Sequence, residues 1–126
     1  GGKIDFILHS IGMSPNVRKG RPYDGTNYDW YHKTMDVSAM SLHKTLATLY
    51  KHDAMSEWGS VLALSYIAAQ RIFPDYNDMA DAKSLLESIA RSFGFARALR
   101  RLNAHLGIYT IQRPFWLLYA CSTTER

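Results

Sequence analysis

The chain has 126 residues, 47% of them hydrophobic and 13% aromatic, which suits one globular domain, or a piece of one, with a real core. The single cysteine, Cys121, excludes an internal disulfide framework. No apolar run reaches the ~18 residues of a membrane span, and the opening Gly-Gly-Lys-Ile-Asp-Phe is not a signal peptide, so a cytoplasmic protein is expected.

The net charge of +4 does not point to nucleic acid. Residues 1–96 hold ten Lys/Arg against ten Asp/Glu, and the excess comes from five arginines against one glutamate in residues 97–126.

In chain order, residues 3–10 form an apolar run with β-branched and aromatic members, the pattern of a parallel strand buried on both faces. His9-Ser10-Ile11-Gly12 follows, a small-residue turn where an α/β sheet would hold a cofactor. His9 reads as an internal histidine with one satisfied nitrogen. Met13 to Asn27 carries Pro15, Gly20, Pro22 and Gly25 and reads as a binding loop. Its Arg18, Lys19 and Arg21 read as a solvated surface, or as a contact for an acidic partner. A helix is expected from an N-cap near Asp29, with Met35, Ala39, Leu42, Leu46 and Leu49 on one stripe, fading through Lys51 to Asp53. His43 and His52 have no second ligand at metal-binding spacing, so no metal site is expected.

Trp58-Gly59-Ser60 leads into a buried strand over 61–65. A short loop through Pro74 then opens a helix from about Asn77 to Phe93, with Met79, Ala82, Leu86, Ile89 and Phe93 on its packing side and Gly94 as its stop. Beyond Ala96, residues 97–105 can extend a helix and 106–111 can form a short strand. Pro114 breaks the pattern, and Phe115 to Ala120 is an apolar run. Alternating strands and helices imply an α/β fold: a partial Rossmann-like, doubly wound parallel sheet whose first βαβ units are missing. Residues 1–96 would be the central part of such a domain, and 97–126 a divergent basic tail.

Two tyrosines and a lysine stand out. Tyr66 closes the second strand, and Tyr76 and Lys83 lie two helical turns apart on one face, ~10 Å along the axis. A phenol that donates a proton beside an ammonium suits chemistry in which negative charge develops on oxygen. Tyrosines at strand ends also serve as plain packing residues, so the surroundings decide.

Those surroundings are Lys-Ile-Asp-Phe-Ile-Leu-His-Ser-Ile-Gly at 3–12, Leu-Ser-Tyr at 64–66, and Tyr and Lys with six residues between them at 76–83, Asn-Asp-Met included. On these motifs residues 3–96 closely resemble the NADH-using enoyl-(acyl carrier protein) reductases of bacterial type II fatty-acid synthesis, in the short-chain dehydrogenase/reductase superfamily. The ten-residue step between the tyrosines is also that family's. The resemblance implies reduction of the trans-2 double bond of an enoyl thioester carried on acyl carrier protein, with NADH as cofactor and a homotetramer for the intact protein. It implies Tyr66, Tyr76 and Lys83 as catalytic; Ser10, Ile11, Gly12, Ser65 and Lys83 as cofactor-binding; and Ser14, Tyr66 and Tyr76 as substrate-binding. No nucleic acid, membrane or metal is implied.

Two departures stand against it. The family's glycine-rich pyrophosphate loop is absent, and after Ala96 its next parallel strand and Pro/Thr-rich covering loop are not legible. Arginine-rich text without lysine is what a shifted reading frame would give, and the neighbouring frame of the coding DNA should then restore the strand. The alternatives are a ketoacyl-type short-chain reductase, which needs a shorter tyrosine–lysine spacing, and a non-catalytic fragment with a basic binding tail.

Overall fold

A computed structural model describes residues 2–99, 105–111 and 116–117 of the chain. Four strands, β1 (Ile4–His9), β2 (Met55–Tyr66), β3 (His105–Ile111) and β4 (Trp116–Leu117), form one sheet in the order β1-β2-β3-β4. The first three are parallel and β4 is antiparallel to β3. Between β1 and β2 run α1 (Pro15–Arg18), α2 (Tyr28–Met35) and α3 (Ser41–Lys51). α4 (Asn77–Leu99) connects β2 to β3. α2, α3 and α4 pack together on one face of the sheet. There Ala39, Leu42 and Leu46 meet Val61 and Ala63 of β2 and Leu86, Ile89 and Ala90 of α4. Leu42, Leu46 and Leu86 are fully buried, each contributing about 1.5–3 kcal/mol of transfer free energy.

Local chemistry sets the boundaries, and several differ from the sequence expectation. The stretch Met13–Asn27 is not a bare loop. Ser14 caps α1 by accepting the Val17 amide at 3.0 Å, with Pro15 in the first helical position, where its missing N–H costs nothing. Gly20, at φ 60°, turns the chain out of that helix. The next helix starts at Tyr28 rather than Asp29, because Asn27 accepts the Trp30 amide at 3.0 Å and is the cap. The single helix expected to Lys51 is interrupted by a π-helical turn at Asp36–Met40. That turn inserts a residue, so Thr34 and Ser38 face inward alongside Ala39 and Leu42.

β2 is longer than the expected 61–65. Ile4 pairs with Met55 but Phe6 with Ser60, so two residues of β1 span five of β2, and the surplus is taken up in a bulge. Gly59 sits there because a Cβ would stand 2.7 Å from Met55 Cε, 3.1 Å from the Ser56 carbonyl and 3.2 Å from that of Ile4. Gly94 does not stop α4. Its φ is not left-handed, and the helix continues through it to Leu99.

β1 is not buried on both faces. Ile7 packs against the core and His9 is buried, but Phe6 and Leu8, pointing the other way, are 57% and 52% exposed, since no described element covers that face. A parallel strand does follow Ala96, namely β3, whose His105–Ile111 pair in register with Ser60–Tyr66. Residues 100–104, 112–115 and 118–126, with Pro114 and most of the apolar run to Ala120, lie outside the described residues, as does most of the segment read as divergent.

Gly59→Ala should destabilise the chain by about 1–3 kcal/mol, because two backbone carbonyls and a methionine must give way. Urea denaturation measures this; an unchanged midpoint would mean that the bulge tolerates a side chain.

Candidate active site

The parallel register that places His9 beside Ala63 also places the turn Ser10-Ile11-Gly12 beside the carboxyl end of β2. α4 begins across from both. Together they enclose a cleft of about 480 Å³ beyond the strand ends, where open α/β sheets bind ligands. Ser10, Ile11, Gly12, Ser14, Ser65, Tyr66, Tyr76 and Lys83 all line it, so every candidate residue from the sequence reaches one cavity, joined by Met13, Val17, Arg18, Leu64 and Met79.

Tyr66 and Tyr76 lie ring against ring, with centroids 4.7 Å apart and planes tilted by 46°. Phe73 stands edge-on to both, at 5.2 and 6.1 Å. Neither tyrosine hydroxyl has a hydrogen-bond partner among the described residues. Burial, and then the neighbouring Tyr66, raise the Tyr76 phenol above its ordinary value, so it stays a proton donor at neutral pH. The backbone carrying Tyr76 is unusual: Asp75 and Asn77, on either side of it, have φ of 63° and 40°. Asp and Asn tolerate that region best, and such conformations persist only where surrounding contacts hold them.

Lys83 is 7% exposed. Its ammonium donates to the Leu64 carbonyl at 2.8 Å and more weakly to that of Ile11 at 3.5 Å. Burial lowers its pKa, because few groups replace the water it has lost. Two acceptors for three N–H groups leave one proton for a ligand in the cleft. His9 is an internal histidine, as its position suggested. Ser41 donates to the Val37 carbonyl at 2.6 Å, so its oxygen accepts from His9 Nε2 at 2.8 Å, and Nδ1 is left buried without a partner. Burial and then the Lys83 charge lower the His9 pKa and keep it neutral.

Two hydroxyls expected to face ligands are committed elsewhere. Ser65 donates to Glu87 Oε1 at 2.7 Å, and Ser14 donates to Asp78 Oδ1 at 2.5 Å while capping α1. Both line the cleft as wall rather than as free polar groups. The sequence reading missed Asp78 and Glu87. Asp78 is fully buried and also takes the Asn16 amide and the Thr34 hydroxyl, each at 2.8 Å. The available signal was its spacing: Asp78, Ala82 and Leu86 are four apart, which puts a carboxylate at the head of an apolar stripe. Ser38 also went unread; it holds the Met13 amide at 2.9 Å and so fixes the turn after β1.

A family model described as enoyl-(acyl carrier protein) reductase matches residues 1–105. The enoyl-(acyl carrier protein) reductase (NADH) 1 of Rhizobium meliloti is 37% identical over 90 residues, 71% of this chain and 32% of that protein. FabI of Aquifex aeolicus is 34% identical over 108 residues, 82% of this chain and 38% of that protein. Among solved structures, FabI of Alistipes finegoldii and its complex with NADH each superpose with a TM-score of 0.81 at 60% identity. They cover 86% of this chain and 41% and 38% of theirs. The chain thus spans about a third of the length of the curated relatives it matches.

Tyr23, in the segment between α1 and α2, and Tyr31 of α2 are tied to α4, both donating to Asp81 Oδ2 at 3.0 Å. Burial and then that hydrogen bond push the Tyr31 phenol up to about 12 from its ordinary 10.0. A phenol raised in the folded state keeps its proton after the unfolded chain has lost its own. Its contribution is therefore full below pH 10.0 and is lost as pH climbs to about 12. Urea stability should fall across that window, and Tyr31→Phe should make the fall shallower; equal alkaline slopes for the two proteins would count against the contact.

Proposed function

The chain belongs to the enoyl-(acyl carrier protein) reductase family, and on that premise we propose that it forms the reacting part of an NADH-dependent reductase of trans-2-enoyl thioesters. The observation that carries the reading is the pair of phenols, tilted ring against ring and without hydrogen-bond partners among the described residues, at a cleft that also receives the Lys83 ammonium.

The residues present fit a nicotinamide cofactor. Gly12 lets the turn after β1 come close to α4, since a Cβ there would stand 2.8 Å from Met79 Cε and 3.7 Å from Lys83 Nζ, and the ammonium keeps a proton to donate. Ser10, Ile11 and Gly12 would line the cofactor, and Lys83 would hold its ribose hydroxyls. NADH, when bound, supplies the hydride for the β-carbon of the substrate. Tyr76 donates to the thioester oxygen, on which enolate charge develops. Tyr66 stands beside it as the second phenol and limits the freedom of that ring. Both hydroxyls are in place before the charge forms, so little reorganisation is needed. Protonation at the α-carbon completes the saturated acyl chain.

In this reading residues 1–96 are the central part of the reductase domain and 97–126 a divergent basic segment. The substrate is carried on acyl carrier protein, whose acidic surface would meet Arg18, Lys19 and Arg21. The intact protein is a cytoplasmic homotetramer. No helix among the described residues is long and apolar enough to cross a membrane.

The test is NADH oxidation by the purified chain with a crotonyl thioester and, separately, an acetoacetyl thioester. Turnover should appear with the first alone, and Tyr76→Phe should lower it about 10²–10³-fold, the usual cost of one oxyanion donor. Preference for the acetoacetyl thioester would assign the site to a ketoacyl-type reductase. No turnover and no NADH binding would show that this length of chain does not make a working site.

A further inference from the structure

We propose that Asn77 and Asp78 form a clamp that holds Tyr76 in its strained turn and couples that phenol to the wall of the cleft. Tyr76 lies between two residues with left-handed φ, a conformation that relaxes unless its neighbours are fixed. The residues fixed are the two that follow it. Asn77 donates through Nδ2 to the Arg21 carbonyl at 2.7 Å, and its Oδ1 lies 2.9 Å from the Thr26 hydroxyl, whose single proton it shares with the Tyr23 carbonyl at 2.8 Å. Its Oδ1 also accepts the Asp78 amide at 2.6 Å.

Asp78 draws donors from two directions: Ser14 and Asn16 from α1 and its cap, and Thr34 from α2, whose single hydroxyl proton it shares with the Trp30 carbonyl, also at 2.8 Å. No cation is among those partners, so neutral hydrogen bonds alone replace the water that this buried carboxylate has lost. That is a demanding arrangement, because losing one donor leaves acceptor capacity buried and unused. An apolar side chain would fill the space at less cost, but it would fix no angle between α4 and the α1 segment. Those segments carry Ser14, Val17 and Arg18 on one side of the cleft and Tyr76 on the other. Asp78 is therefore a positioning residue: it is fully buried outside the cleft lining, and it sets where the phenol stands relative to the opposite wall.

The inference deepens the reductase reading only in giving Tyr76 a task. Its test follows the ring, not turnover, so the two readings fail separately. The full chain, labelled with ¹³C in its tyrosine rings and with ¹⁵N, is compared with Thr34→Val, which removes one Asp78 donor far from the cleft lining, and with Thr34→Ser, which keeps the hydroxyl. In Thr34→Val the amides of residues 14–18 and 77–79 should exchange about tenfold faster, the scale of one lost buried hydrogen bond. The Tyr76 ring resonance should shift, and its phenol should titrate closer to 10.0 as the turn opens. Val61 and Ala63 should keep their protection, and Thr34→Ser should behave like the parent. A Tyr76 ring unmoved while 14–18 loosens would overturn the coupling. So would uniform acceleration across β2, which marks mere global stability, or a serine variant that fails as valine does.

Discussion

The arrangement turns on one ammonium that has to find acceptors away from water. Lys83 is carried on α4, and the acceptors within its reach are backbone carbonyls at the open ends of two strands: Leu64 near the end of β2 and Ile11 just past β1. Satisfying that charge fixes the distance from α4 to the sheet and closes the back of the cleft. It also decides what stands in front. Tyr66 is two residues beyond Leu64, and Tyr76 precedes the helix that carries the lysine, so anchoring the amine brings both phenols to the same opening.

The same helix carries three carboxylates into protein contacts. Asp78 gathers α1 and α2, Asp81 receives two phenols, and Glu87 takes the Ser65 hydroxyl, the Gln70 amide and the guanidinium of Arg91 one turn on. Lys83 and Glu87, one turn apart, grip consecutive residues of β2, the Leu64 carbonyl and the Ser65 side chain. Apolar packing holds α4 to the sheet through Leu86, Ile89 and Ala90, but such contacts tolerate small slides. Directional hydrogen bonds to buried groups do not, and they are concentrated on the half of the helix that faces the cleft.

The parts of this architecture that are local in sequence were legible. Strand–helix alternation, the Ser10–Gly12 turn and the spacing of Tyr66, Tyr76 and Lys83 all concern residues near element ends, where one-dimensional spacing translates into position. The Asp78 hub was not, since its donors lie 44, 62 and 64 residues away in the chain and no periodicity marks them as partners. Pro15 and Gly94 misled for opposite reasons. A proline that breaks a helix interior is welcome at its first residue, and a glycine ends a helix by taking a left-handed φ, which Gly94 does not. β1 read as a central strand because its composition is that of one, yet composition records what a strand is suited to touch, not what covers it among these residues.

The most direct test of the central claim is the titration of Lys83 itself, followed through its ¹³C-labelled ε-carbon in the intact chain, with Lys83→Met identifying the signal. An ammonium held between two strand ends should lose its proton at a pH below the ordinary lysine value of 10.5. A midpoint unshifted from that value would place the amine in water, and the geometry built on it would not hold.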